Sequence, residues 1–216
     1  MACATGRGTS VRVIPDEMID AGITYNGAIV NIGAAVIYKR LLPCLSARPL
    51  LVACAKRGLR AASQYKGMDY ANFIVSDEWS FITDFEIVDF GKHDMDAEKL
   101  YILIDEPDDI AFIRKHLSED LHLSVSRDHM AMVMHKEATK SKALAALAGH
   151  WAIKPSEIVA FGDDANDVDM LQYCGIGVAV ANALDEVKNV ADHICDSNEN
   201  DGVAGWLEEN VLRPAT

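Results

Sequence analysis

The sequence predicts an α/β protein in which a doubly wound parallel sheet carries a second, inserted α+β module. Three observations point there. The last third of the chain alternates short apolar runs with stretches of helical periodicity, the rhythm of parallel strands joined by helices. The middle third has longer polar connections between runs that are apolar or alternate at period two. An acidic turn, Gly162-Asp163-Asp164-Ala165-Asn166-Asp167, directly follows an apolar run, placing carboxylates at the strand edge where open α/β sheets bind ligands.

The elements follow in order. Met1-Ala2-Cys3-Ala4 has the character of a buried strand, and Thr5-Gly6-Arg7-Gly8 that of a turn after it. Helices are expected over 51–56 and 110–117, and strands over 73–75, 85–88, 100–104 and 123–126. A helix over 141–148 presents Ala143, Leu144 and Leu147 on one side. Strands over 158–161, 176–180 and 192–195 then alternate with helices over 168–173 and 183–190. An amphipathic helix over 203–211, with Trp206 and Leu207 inward, closes the series. Residues 28–126 are expected to form the separate module, and 1–27 with 127–216 the parallel-sheet domain. The chain crosses between them near Asn26-Gly27 and Arg127-Asp128.

Composition narrows the functional classes. Half of the 216 residues are apolar, enough for a substantial core, and the formal charge is −13. So acidic a chain lacks the basic face that nucleic acid or an anionic membrane requires, and neither is expected as a partner. Cys3, Cys44, Cys54, Cys174 and Cys195 form no Cys-x-x-Cys pair and mostly lie in apolar runs; they are expected to be buried thiols in a reducing cytoplasm. No run approaches the roughly 18 apolar residues of a membrane span, and no charged-then-apolar leader pattern opens the chain. A cytoplasmic location is expected.

The acidic turn suits a hard cation. Gly162 permits a tight exit from the strand, and helical spacing resumes through Val168, Met170 and Leu171. Clustered carboxylate oxygens at that position fit Mg²⁺. A single Asp there could equally cap the following helix, as expected of Asp164.

The motifs, taken together and in order, resemble the haloacid dehalogenase superfamily of phosphohydrolases, in its Cof-like branch with a large C2B-type cap. They are Ala4-Thr5-Gly6-Arg7, Tyr25-Asn26-Gly27-Ala28, Lys140-Ser141-Lys142-Ala143-Leu144, the acidic turn, 177–183 (Gly-Val-Ala-Val-Ala-Asn-Ala) and Asp201-Gly202-Val203-Ala204. The resemblance implies a Rossmann-like core with an inserted cap. It also implies that Thr5, with Gly6, holds a substrate phosphate oxygen, and that Lys140 neutralises the phosphoryl group. Arg7 would contact phosphate or tie its loop to a carboxylate. Asp163 would bind Mg²⁺ directly, with Asn166 and Asp167 completing or orienting the inner shell. Asn182 would support the site or simply form a turn. Lys136 and Lys142 lie nearby, but Lys140 has the right offset from Ala143-Leu144. Without the resemblance, Thr5 is a turn residue and Lys140 a solvated lysine, though a helix start repels cations.

One family motif is missing. Members begin with an apolar strand ending in Asp-x-Asp-Gly-Thr, and none of the 216 residues matches it. Asp94-Met95-Asp96 and Asp167-Val168-Asp169 lack both the preceding strand and the Gly-Thr. In the family the first Asp of that motif attacks phosphorus to form an aspartyl phosphate, and the second serves as general acid and base. The absent strand would lie between the strand at Thr5 and the strand at Phe161. The expectation is therefore a shortened, nearly inactive form of a Mg²⁺-dependent phosphatase acting on a small phosphorylated metabolite, a sugar phosphate among the candidates. The rival expectation is a non-catalytic descendant that binds a phosphorylated ligand or a protein. A phosphomutase would share the same chemistry.

Overall fold

A computed structural model describes residues 3–6, as backbone, and residues 19–126 and 129–212. The chain divides into two compact units, Met1–Ala143 and Leu144–Thr216.

The first unit contains two sheets. The small one takes β1 (Cys3–Gly6), β2 (Ala21–Thr24), β3 (Ile29–Ile32) and β4 (Ala35–Lys39) in that order. β1 and β2 run parallel and the other pairs antiparallel. The turn expected at Thr5-Gly6 is instead strand. Thr5 pairs with Ile23 and Gly6 with Thr24, so the ladder carries β1 two residues further than its apolar run. β1 ends this sheet, with β2 as its strand partner.

The large sheet is built from β5 (Ala61–Tyr65), β6 (Met68–Ala71), β7 (Phe85–Ile87), β8 (Lys99–Leu103), β9 (Leu121–Val125) and β10 (Met130–His135). Its order is β7-β6-β5-β8-β10-β9, antiparallel except for the β6–β7 pair. β3 and β4, expected with the separate module, thus extend the sheet of β1 and β2, while β10, beyond residue 126, joins the large sheet.

Period-two alternation sorts the large sheet's side chains onto two faces. Ala61, Ile102 and Ala131 share one row, and Leu100 pairs with Val133 beside it. These residues are buried in one cluster with Leu50, Leu51 and Cys54 of α1 (Cys44–Arg57) and Ile113 of α3 (Pro107–Lys115). α3 starts three residues earlier than the apolar spacing suggested. Pro107 supplies the helical φ and lacks an N–H to satisfy, and Glu106 and Asp109 form a reciprocal capping box. The opposite face buries Tyr101, Ala62 and Ala71 under Val75. Further along, Met132 and Met134 pack with Tyr25, Ala28, Ile29 and Ala138. The strand expected over 73–75 is corrected: Val75 opens a short helix, α2 (Val75–Glu78), and neither Phe73 nor Ile74 lies in a strand. A three-residue apolar run carries no period, so the packing of Phe73 and Val75 in this cluster could be met by either conformation.

α4 (Lys140–Trp151) begins in the first unit and continues into the second. There β11 (Val159–Gly162), β12 (Ile176–Val180) and β13 (His193–Cys195) form a parallel sheet in chain order, as the alternating rhythm predicts. β11 ends this sheet, with β12 as its strand partner. α5 (Val168–Tyr173) packs on β11 and β12, α6 (Asp185–Lys188) on β12, and α7 (Gly202–Leu207) on β13. Trp206 meets Phe161 edge-on at 5.5 Å. α6 is shorter than the expected 183–190, and beyond α7 the backbone widens into a π-helical turn, Glu208–Leu212.

Cys54 and Cys195 are buried, but Cys44 and Cys174 are partly exposed, correcting the expectation for those two; the Cys3 side chain lies outside the described residues. No helix among the described residues is long and apolar enough to cross a membrane.

Ile102 is fully buried at the centre of the first cluster, whereas Val36 is 54% exposed. Ile102→Ala is expected to cost about 2–5 kcal/mol in urea unfolding, and Val36→Ala about 0.5 kcal/mol or less. Equal losses would contradict the assigned core.

Candidate functional site

The acidic loop is shaped by one buried carboxylate. After β11 the chain passes Asp163 and Asp164 into a 3₁₀ turn, Ala165–Asp167, and then α5. Asp167 is 3% exposed. Its Oδ2 accepts the backbone N–H of Asp163 at 3.1 Å and of Asp164 at 3.2 Å. Asp164 Oδ1 in turn accepts the Ala165 N–H at 2.8 Å, and its side chain and that of Asp167 each accept the other's backbone N–H in a capping box, which makes Asp164 the cap. Charged acceptors strengthen such bonds to roughly 1.5–3 kcal/mol each. The arrangement requires glycine at 162. A Cβ there would lie 2.5 Å from Asp167 Cβ and 2.9 Å from its Cγ. Asp163 is exposed, and Asn166 is half-buried in the turn.

Two neighbouring loops join this edge of the parallel sheet. The Leu184 N–H donates to the Asp163 carbonyl at 3.0 Å, tying the segment after β12 to the acidic loop. Asn182 Nδ2 donates to Asn198 Oδ1 at 2.8 Å, linking the loops after β12 and β13. Asp196 accepts from the Ser197 N–H and from Asn200 Nδ2, and these bonds hold its carboxyl below the usual range. Among the described residues no three or more His, Cys, Asp or Glu side chains converge as a ready-made metal cage.

Thr5, Gly6 and Lys140 belong to the first unit. β1 delivers Thr5 and Gly6 alongside Ile23 and Thr24, immediately before the turn Tyr25–Gly27. All three turn residues have left-handed φ, of 52°, 56° and 101°. Gly27 backs onto the start of α4. A Cβ on it would lie 2.3 Å from the Thr139 carbonyl group and 2.8 Å from Lys140 N. Thr139 caps that helix, its Oγ1 accepting the Lys142 N–H at 3.3 Å. Lys142 Nζ pairs with Glu137 at 2.8 Å, and Lys140 is half-buried. Arg7 lies outside the described residues.

Several residues here escaped the sequence reading. Thr139 carried a signal, a Thr immediately before the helical Lys140. Asp196 and Asn198 carried another, since polar residues follow β13 as Asp163 follows β11. Tyr25 was noticed only as part of a motif. Burial, then the charge of Glu98, push its hydroxyl's pKa up, and the Gly67 backbone opposes them. Nothing local in the sequence pairs those three positions.

Gly162→Ala should therefore displace Asp167 and cost about 2 kcal/mol or more in unfolding free energy. Gly149, in α4, has nothing within 4 Å of an added Cβ. Gly149→Ala should be neutral or stabilise by up to about 1 kcal/mol. A neutral Gly162→Ala would refute the close approach.

The sequence profile of the haloacid dehalogenase-like hydrolases matches residues 1–207. A Haemophilus influenzae protein is 32% identical over 200 residues, covering 86% of this chain and 76% of that one. The Bacillus subtilis 5-amino-6-(5-phospho-D-ribitylamino)uracil phosphatase YitU is 34% identical over 109 residues, 47% of this chain and 40% of that enzyme. Among solved structures, the subclass IIB sugar phosphatase BT4131 superposes with a TM-score of 0.78 at 25% identity, covering 89% of this chain and 76% of that one. TM0651 from Thermotoga maritima does so with a TM-score of 0.70 at 26% identity, covering 88% and 75%. The chain belongs to the haloacid dehalogenase-like hydrolases.

Proposed function

We propose that this chain carries the phosphate- and metal-binding elements of a Mg²⁺-dependent phosphatase acting in the cytoplasm on small phosphorylated metabolites. The observation that carries the reading is the acidic loop at the end of β11, held by buried Asp167 with Asp163 at its surface. Similarity to a sugar phosphatase supports sugar phosphates as the substrate class.

The donor set fits the metal. Asp163, Asn166 and Asp167 offer only hard oxygen ligands, and Mg²⁺ is content with one or two carboxylates when water and phosphate oxygens fill the remaining positions. Asp163 is the direct ligand in this reading. Asp167, already accepting two amides, orients the loop, and Asn166 contributes from the turn. Bound Mg²⁺ would screen the phosphoryl charge and polarise the phosphorus. Thr5 and Gly6 hold a phosphate oxygen, Lys140 neutralises the phosphoryl group, and Arg7 assists with phosphate or with its own loop. Residues 28–126 serve as the cap that closes over the substrate, and 1–27 with 127–216 as the core.

The nucleophile is supplied by a segment other than these 216 residues, which contain no Asp-x-Asp-Gly-Thr. By itself the chain is then nearly inactive. The missing motif also favours a second reading, a non-catalytic binder of a phosphorylated ligand.

Inorganic phosphate with Mg²⁺ should raise the melting temperature of the 216-residue chain by about 5 °C at saturating concentration. Asp163→Ala should remove the Mg²⁺-dependent part of that rise. No rise, or an equal rise in the variant, would refute the proposed metal site. Hydrolysis of p-nitrophenyl phosphate should be indistinguishable in the two proteins; Mg²⁺-dependent turnover by the unaltered chain would overturn its inactivity.

A further inference from the structure

The stretch between β10 and α4 is tied down residue by residue. The Lys136 N–H donates to the Asp120 carbonyl at 2.8 Å, the Glu137 N–H to His135 Nδ1 at 3.0 Å, and the Ala138 N–H to the His135 carbonyl at 2.7 Å. Ala138 is fully buried, in one cluster with Met132 and Met134. Thr139 then caps α4, and its carbonyl accepts the Ala143 N–H at 3.0 Å in the first turn of the helix. The Glu137 carbonyl is taken from far away in the chain. Tyr38 Oη, on β4, donates to it at 2.6 Å.

That donor is itself held. Tyr38 is half-buried, pairs with Val30 in the β3–β4 ladder, and carries the Arg40 guanidinium over its ring at 4.7 Å. Burial pushes its pKa up, so the hydroxyl keeps its proton and remains a donor. The turn between β2 and β3 meets the same stretch a second time, where a Cβ on Gly27 would lie 2.3 Å from the Thr139 carbonyl group. The small sheet and its turn therefore grip the chain on both sides of Ala138, at Glu137 and at Thr139, and Lys140 follows directly. At its other end the same sheet carries Thr5 and Gly6 on β1.

We propose that Tyr38 is a positioning residue for Lys140: by holding the Glu137 carbonyl, its hydroxyl fixes where α4 begins relative to the sheet that carries Thr5. It thereby sets the spacing between two phosphate-binding groups, for which small misplacements are costly. This rests on the reading that Lys140 binds phosphate. All the parts lie within a single unit of the chain.

The test is calorimetric titration of inorganic phosphate, with Mg²⁺, into the 216-residue chain and its Tyr38→Phe, Lys140→Ala and doubly substituted variants. Tyr38→Phe removes only the hydroxyl; it should weaken phosphate binding about five-fold in the unaltered background and leave it unchanged in the Lys140→Ala background. Tyr38→Met, which fills the half-buried site without a donor, is the probe if Tyr38→Phe folds poorly. A loss of the same size in both backgrounds, or a lowered melting temperature with unchanged affinity, would reduce Tyr38 to a structural residue. If Lys140→Ala alone leaves affinity unchanged, the reading of Lys140 fails and the positioning role falls with it.

Discussion

The carboxylate of Asp167 is the interaction on which the acidic edge of the second unit depends. Buried at 3% exposure, it spends one oxygen on the amides of Asp163 and Asp164 and so bends the chain sharply after β11. That bend is possible because Gly162 leaves room for it. A buried carboxylate without such donors would be costly, so the loop and the charge stabilise each other. The consequence is that exposed Asp163 stands on a backbone held by Asp167. A polar group held in place by its neighbours is the preorganisation that binding an ion requires.

The first unit solves a similar problem with backbone contact. Gly27 approaches the Thr139–Lys140 peptide so closely that any side chain would collide, and the left-handed turn before it is locked by Tyr25 and Asn26. Thr139 caps α4 by the usual side-chain bond. Lys140, at the repelling end of a helix dipole, is therefore set by its surroundings and not by helix preference.

Much of this could be read from the residues. The second unit was readable almost element by element because each strand is a short apolar run bounded by turns, and parallel strands need a helix between them. The bounds of α5 and β12 match the expected 168–173 and 176–180. The turn at the acidic loop was readable because Gly162 allows a tight exit and an Asp before a helical run caps it. The first unit was harder. β2, β3 and β4 are short and partly polar, and their pairing is decided by partners far away in the chain. Val75 became helical because burial, not period, governs a three-residue run. Tyr25, Glu98 and Gly67 meet only through the fold, so no local spacing could join them.

The central claim is that Asp163 and its loop bind a metal-bound phosphate. Residue-resolved amide shifts in a ¹⁵N-labelled sample, titrated with Mg²⁺ and then inorganic phosphate, test it most directly. The account predicts that Mg²⁺ shifts the amides of Asp163, Asp164 and Leu184 first, and that phosphate then shifts those of Gly6 and Lys140. Shifts confined to other surfaces, or none at saturating Mg²⁺, would contradict it.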